Sequence, residues 1–292
     1  MMLAASAQPG DAARQPEIPL FSEALARERG PATAPFIATY RSGTKVLGFV
    51  GADHLFNLEN STVDSIRRAF DETKPTLLII EGIPTALGRN FAPILQAVRR
   101  RETSDADPFS RSEAVFAASL AVRDGIPFLG GEPSMTEELD GLIARGYTRD
   151  EVLFALRLRS LGQARQSGEM PAGDAAAFSA GYQREARAVA QMTGTRAQTE
   201  ESFISDYRRM TGVDPVADLE MAHRYVPGTK DTLQKMAADN MRFRDEHLLA
   251  IILDGLDTDS RVLVVYGSSH WTTLSRALED RLGKPQIRIP AN

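Results

Sequence analysis

The sequence predicts an α/β fold with a mainly parallel sheet flanked by helices and a large all-helical insertion. Short apolar runs at 76–80, 126–129 and 261–266 have the composition of strands covered on both faces. Helical patterns separate these runs, and strands that alternate with helices are joined by the crossovers of a parallel sheet. Between about 136 and 239 only helical patterns occur, which predicts the insertion.

The remaining elements follow from local patterns along the chain. Residues 36–40 and 45–50 are rich in β-formers and flank a turn-like Arg-Ser-Gly-Thr, which predicts a hairpin. A helix that starts at Ser61 must end before Pro75, because the residue before a proline avoids the helical region. Further helices are expected at about 91–101, 111–123, 231–255 and 272–282, and a last short strand at 286–289.

The chain of 292 residues suits one large domain. We expect residues 1–30 to form a flexible tail and residues 31–292 to form a single α/β domain. The first seven residues end in Ala-Ser-Ala, like the small-residue end of a secretory signal, but no basic segment or long apolar core precedes it. Two alternatives stay open: an exported protein with a signal-peptide remnant, or a cytoplasmic protein with a disordered tail.

Composition excludes several classes of protein. The chain has no Cys, which excludes disulfides, thiolate metal sites and a cysteine nucleophile. Its net charge is −5 and its longest basic run is Arg99–Arg101, so we expect no nucleic-acid partner. No stretch reaches the roughly 18 apolar residues of a membrane span. The expected partner is a small-molecule or peptide substrate.

Polar residues that carry chemistry follow four of the predicted strands. Gly51-Ala52-Asp53-His54 follows the first of them, Glu81 and Glu132 follow the next two, and Gly267-Ser268-Ser269-His270 follows the last. Ligands of open α/β sheets bind at the carboxyl ends of the strands. The two matched Gly-x-x-His tetrads therefore predict a site of His54, Glu81 and His270.

Two kinds of chemistry suit this set. Two imidazoles and a carboxylate can hold a divalent manganese, zinc or iron ion with a position open for water. The same groups without a metal can act as general acid and base on a water molecule. Strand-end polar residues also cap helices, which is the structural alternative.

Further candidates surround this set. Asn240, Arg244 and His247 share one face of the predicted helix 231–255, and Arg244 is expected to bind a substrate carboxylate or an oxyanion. Its structural alternative is a salt bridge to Glu81, Asp245 or another neighbour.

Three residues beside the predicted set are assigned to substrate binding or support. Asp53 is expected to orient an imidazole or to cap the following helix, and Glu132 to line the site or to occupy a turn. Ser269 joins this group as a neighbour of His270, although the Gly-x-Ser-x-Gly pattern of a nucleophile elbow is absent.

The two tetrads, with Ile79–Gly82 and Asn240–Leu253, resemble the superfamily that unites TraB/GumN-type proteins, Tiki peptidases, erythromycin esterases and ChaN-type haem-binding proteins. The resemblance covers the two ends of the chain. It implies a site of His54, Glu81 and His270 with Arg244 nearby. On this basis we expect a hydrolase, metal-dependent or metal-free, and the alternative is a protein that binds haem or another small ligand without turnover.

Overall fold

The structure is a computed structural model that describes residues 18–30, 34–53, 61–101, 109–166, 168–219 and 231–290. Six strands form its central sheet: β1 (Phe36–Ser42), β2 (Lys45–Ala52), β3 (Leu77–Pro84), β4 (Phe128–Glu132), β5 (Arg261–Gly267) and β6 (Gln286–Arg288). The strand order across the sheet is β4-β3-β5-β2-β1-β6.

The sheet is mainly parallel, as the sequence predicts. β4, β3, β5 and β2 run parallel to one another, and β1 is antiparallel to both β2 and β6. The predicted hairpin pairs Phe36 with Gly51 at one end and Ser42 with Lys45 at the other. The α/β fold class is therefore confirmed.

Ten α-helices lie in the described residues. They are α1 (Glu23–Arg29), α2 (Ser61–Thr73), α3 (Ala92–Arg101), α4 (Glu113–Arg123), α5 (Met135–Ala144), α6 (Arg149–Gln166), α7 (Ala175–Thr193), α8 (Glu200–Thr211), α9 (Thr232–Thr258) and α10 (Ser268–Leu282). Over the described ranges, none of them combines the length and the apolar character that crossing a bilayer requires.

Helices cover both faces of the sheet. Alternate side chains of β3 point to opposite faces, so Leu78 and Ile80 belong to a core with α2 and α4. Leu77 and Ile79 belong to the opposite core, which α9 and α10 cover. Burial on both faces explains why the strands are continuous apolar runs.

The segment between β4 and β5 is helical throughout its described part. Helices α6, α7 and α8 build a separate apolar core in which the ring centroids of Phe154 and Phe203 lie 5.0 Å apart, and those of Tyr182 and Phe203 5.1 Å apart. Helix α9 joins both parts of the molecule, because Leu233 packs in this helical core and Leu248 packs under the sheet.

The predicted flexible tail is wrong for residues 18–30. Helix α1 begins after Ser22, whose hydroxyl accepts a hydrogen bond from the Leu25 N–H at 3.1 Å. Ile18 is 1% exposed and belongs to the core beneath α10. The apolar run before this helix covers only residues 18–21, which is too short to predict that Ile18 is buried. Residues 1–17, including the Ala-Ser-Ala segment, lie outside the described residues.

Candidate active site

The carboxyl ends of four parallel strands meet at one edge of the sheet. Strand β5 lies between β3 and β2, and Ala52 at the end of β2 pairs with Gly267 at the end of β5. Strand β4 lies on the far side of β3. The chain order of the strands thus brings Glu132, Glu81 and the start of α10 side by side, because parallel neighbours end at the same edge.

Glu81 lies within a bulge of β3 rather than after the strand. Ile80 pairs with Gly130 and Pro84 pairs with Glu132, so four residues of β3 advance where β4 advances two. Gly82 has a φ of +81°, a left-handed conformation that a residue with a Cβ seldom adopts. The irregularity turns the strand at the position where Glu81 meets its partners.

The Glu81 carboxylate accepts hydrogen bonds from Gly267 and Arg244 and also faces His270. Its Oε2 accepts the backbone N–H of Gly267, the residue that precedes α10, at 2.7 Å. Its Oε1 lies 3.3 Å from Arg244 Nη2 and 3.4 Å from His270 Nε2. These contacts hold the Glu81 side chain at the N-terminal end of α10.

Arg244 forms a two-pronged ion pair with Glu132. Its Nε donates to Glu132 Oε2 at 2.7 Å and its Nη2 donates to Glu132 Oε1 at 2.6 Å. Burial by itself would raise the pKa of Glu132, but the Arg244 charge outweighs it and lowers that pKa. The Nη1 group of Arg244 makes no hydrogen bond with the described residues, so its N–H groups remain for a ligand.

Asp245 and His270 form a buried pair on α9 and α10. Asp245 is 0% exposed and His270 is 2% exposed, and the imidazole Nδ1 lies 2.5 Å from Asp245 Oδ1. The Thr273 hydroxyl donates to the other Asp245 oxygen at 2.7 Å. Burial would lower the pKa of His270, but Asp245 and Glu81 outweigh it and raise the pKa to about 10. His270 is therefore an imidazolium at neutral pH.

Tyr266 closes the inner side of the cluster. Its ring meets the His270 ring edge to face with centroids 5.1 Å apart. Its hydroxyl is buried and has no hydrogen-bond partner of normal geometry. Burial, with the nearby Glu132 and Glu81 charges, raises the pKa of Tyr266 well above 10, so the phenol stays neutral.

Three carboxylates and two cations thus form one cluster in the described residues: Glu81, Glu132 and Asp245 with Arg244 and His270. Arg244 and His270 already face these anions, so a charged substrate carboxylate would meet net negative charge. The arrangement favours a neutral polar group as the ligand.

His247 lies beside this cluster and is held by a different partner. Its Nε2 lies 3.0 Å from the Thr85 hydroxyl, which itself donates to the Gly130 carbonyl at 2.7 Å. Because the hydroxyl has one hydrogen, the imidazole must donate to it, which assigns the Nε2–H tautomer. Burial lowers the pKa of His247, so this histidine is neutral at pH 7.

The structure places the remaining predicted residues less centrally. Asn240 lines a cavity between α5, α6 and α9 together with Arg244. Asp53 is exposed, and its backbone N–H donates to the Thr62 hydroxyl of α2 at 3.3 Å. Ser269 lies in the first turn of α10 and makes no hydrogen bond with a described residue. The expectation that Asp53 orients an imidazole is wrong for His270, because Asp245 does so.

His54, the partner that the sequence predicts for His270, lies outside the described residues, as does His223. The role of His54 therefore stays a prediction from the sequence. Its chain position is two residues beyond Ala52, which pairs with the N-terminal end of α10 at Gly267.

The donor set fits a metal poorly within the described part of the chain. No three His, Asp or Glu side chains there form a group that could hold a metal ion. With Nδ1 against Asp245, Nε2 is the His270 nitrogen that could bind a metal. However, the Glu81 oxygen that faces Nε2 at 3.4 Å also lies 3.3 Å from the Arg244 guanidinium. A metal between Glu81 and His270 would lie against that cation.

Sequence reasoning missed Asp245, Thr273 and Tyr266 as members of the site. Asp245 follows Arg244 directly, and both lie in the segment Asn240–Leu253 that carries part of the resemblance described above, which was the available signal. No sequence pattern marks Thr273 as a site residue, because its contact with Asp245 depends on how α10 packs against α9. Tyr266 stands in the apolar run of β5 and reads as core.

Comparisons with protein-family models, with curated proteins and with solved structures find no match to this chain.

Proposed function

We propose that this protein is a hydrolase that attacks a neutral ester or amide carbonyl with water at the carboxyl edge of the sheet. The observation that carries the proposal is the buried Asp245–His270 pair. The Nε2 atom of this imidazole faces Glu81, which lies beside the Arg244 guanidinium. Titratable groups that converge with shifted pKa values mark candidate sites of catalysis. The resemblance to the TraB/GumN, Tiki, erythromycin esterase and ChaN superfamily supports it, and membership is part of the proposal.

His270 supplies the acid of this reaction. Asp245 holds Nδ1–H and fixes the ring, so the Nε2–H faces the site. A protonated imidazole can give that proton to the leaving oxygen or nitrogen as the carbon–oxygen or carbon–nitrogen bond breaks.

Arg244 stabilises the oxyanion of the tetrahedral intermediate. Its Nε and Nη2 groups are fixed by Glu132 and Glu81, which orients the guanidinium before a ligand arrives. The Nη1 donors remain for the carbonyl oxygen, and donors fixed in advance lower the barrier most.

The base takes a proton from water while the water oxygen adds to the carbonyl carbon. The sequence offers His54 and Glu81 for this role. Both Glu81 oxygens already have partners, since Oε2 accepts the Gly267 N–H and Oε1 faces Arg244 and His270. We therefore assign the base to His54 and give Glu81 the role of positioning the two cations.

The metal-dependent form is the second version of the same proposal. If manganese, zinc or iron were bound, the ligands would be His54, Glu81 and His270, and the ion would lower the pKa of a bound water. The contacts of Glu81 with Arg244 favour the metal-free form. Elemental analysis of protein purified without chelator distinguishes the two, since only the metal-dependent form requires one ion per chain.

The alternative of haem binding has less support in the described site. His270 is 2% exposed and its Nε2 faces Glu81, and Tyr266 is buried as a neutral phenol. Titration with haemin tests this alternative, since a Soret shift that is lost on His270→Gln would favour a binding protein over the hydrolase.

The proposed activity is tested with 4-nitrophenyl esters and 4-nitroanilides of acetyl and hexanoyl groups. Wild type is expected to hydrolyse at least one of these, and His54→Ala, Glu81→Gln and Arg244→Lys are each expected to lose about 100-fold or more in kcat/KM. Arg276→Lys, an exposed change on α10, is the control and is expected to retain wild-type activity. No turnover by wild type, or full activity in Arg244→Lys, would contradict the proposal.

A further inference from the structure

A small cavity lies between the helical segment and α9, next to the charged cluster. Its volume is about 190 Å³, and its walls come from α5, α6 and α9. Most of the lining is apolar, from side chains that include Leu142, Leu156, Met236 and Met241. Cavities of about 150 Å³ with apolar walls can hold a benzene ring, so this one suits a phenyl group or a chain of about six carbons.

One face of α9 connects the cavity to the proposed site. Leu233, Met236, Asn240 and Arg244 recur at the three- and four-residue spacing of a single helix face, and all of them line the cavity. Arg244 also contacts Glu132 and Glu81, so one side chain belongs to both the cavity wall and the charged cluster. A ligand with its apolar part in the cavity would thus place its polar end at Arg244.

Asn240 indicates which polar group the ligand carries at this end. The Oδ1 atom of Asn240 is buried and has no hydrogen-bond partner, which is costly for a buried acceptor. Arg159, the other cation of the wall, is already paired with Glu138 through two bonds of 2.5 and 3.0 Å. Asn240 Oδ1 is therefore an acceptor of the described wall without a partner, beside the Nη1 donors of Arg244, and it requires a donor from the ligand.

From these observations we propose that the cavity is the subsite for a medium-sized apolar acyl group of an amide substrate. The amide N–H donates to Asn240 Oδ1, and the amide carbonyl faces Arg244. An ester has no N–H and leaves the Asn240 acceptor unpaired.

This proposal rests on the proposed hydrolase function, and equilibrium binding separates the two. The probes are hexanamide and methyl hexanoate, which share the apolar chain and differ in the N–H donor. Wild type is expected to bind hexanamide saturably and about fivefold to tenfold more tightly than methyl hexanoate, the equivalent of one hydrogen bond. NMR titration or calorimetry measures both constants without turnover.

Three variants sharpen the test. Asn240→Leu is expected to abolish the preference for hexanamide while methyl hexanoate still binds. Ala155→Leu fills the cavity from α6 and is expected to weaken both probes at least tenfold in a folded protein. Ala180→Leu, on the exposed side of α7, is the matched control and is expected to change neither constant.

The outcomes are distinct. The subsite is overturned if neither probe binds saturably, if both bind equally to wild type, or if Ala155→Leu has no effect. The subsite holds and the hydrolase fails if hexanamide binds as described and no amide is hydrolysed. The hydrolase holds and the subsite fails if acetyl and hexanoyl anilides are hydrolysed alike and Ala155→Leu changes neither rate.

Discussion

Asp245 on α9 and His270 on α10 form an ion pair with 2.5 Å between Oδ1 and Nδ1, at 0% and 2% exposure. A buried carboxylate needs a partner of opposite charge, and Asp245 finds that partner in the imidazolium. The two helices that cover one face of the sheet are thus joined at the edge where the strands end. Stability and the proposed chemistry depend on the same contact.

Removing the Asp245 charge should destabilise the fold. Asp245→Asn leaves the imidazolium buried without its counter-ion, so the free energy of unfolding is expected to fall by about 3–5 kcal/mol. Thr273→Val removes a hydroxyl that donates to Asp245 and lies 2.9 Å from the His270 carbonyl oxygen, and it is expected to cost about 1.5–3 kcal/mol. Urea titration measures both. Asp254→Asn, an exposed change on the same helix, should stay within about 0.5 kcal/mol of wild type.

The charge of His270 should make stability depend on pH on the alkaline side. The folded pKa is raised to about 10 from 6.5, so the folded state binds the proton more tightly than the unfolded state. The stability it contributes is fully present below about pH 6.5 and is lost as pH rises through about 10. In His270→Gln, the free energy of unfolding should decline less between pH 6.5 and 10 than in wild type, although other groups still titrate. An unchanged difference between wild type and variant from pH 6 to 10 would refute the shift.

The titration of His247 should make stability fall toward acid pH, opposite to the effect of His270. Its pKa is lowered by burial, so the unfolded state takes up a proton first and stability falls as the pH drops below about 6.5. His247→Gln should reduce this loss in acid unfolding. A long-range ¹H–¹⁵N spectrum should show the neutral Nε2–H tautomer at pH 7, and a charged ring or the Nδ1–H tautomer would contradict the bond to Thr85.

The first Gly-x-x-His tetrad contains a glycine with a packing role. A Cβ built on Gly51 would lie 2.3 Å from the Phe36 ring, the residue that pairs with it in the hairpin. Gly51→Ala is expected to cost about 1–3 kcal/mol in the free energy of unfolding. The double variant Gly51→Ala/Phe36→Leu should recover part of that loss. A stable but inactive Gly51→Ala would instead indicate a role in catalysis.

The fold could be predicted because its signals are local. The apolar runs of β3 and β5, the Arg-Ser-Gly-Thr turn and the proline after α2 each define an element without knowledge of the rest. The tail prediction failed at Ile18, since the apolar run 18–21 is too short to show a helix or strand period. Its burial depends on tertiary packing against the core beneath α10, which a local sequence pattern does not show.

The site was predictable in its strand-end residues and not in their partners. Glu81 and His270 stand at the ends of apolar runs, and the sheet order brings them within 3.4 Å. The pairing of Arg244 with Glu132 and of Asp245 with His270 depends on how α9 rotates against the sheet. Sequence spacing alone leaves that rotation open, so it offered Asp53 as the carboxylate that orients an imidazole and missed Asp245.

The central claim is that Asp245 and His270 act as one unit that protonates the leaving group. A double-mutant cycle on kcat/KM for N-hexanoyl-4-nitroanilide tests it most directly. We predict that His270→Gln and Asp245→Asn each reduce kcat/KM by about 100-fold or more, and that the double variant is no slower than the slower single variant. Losses that multiply, or a His270→Gln enzyme within threefold of wild type, would contradict the claim.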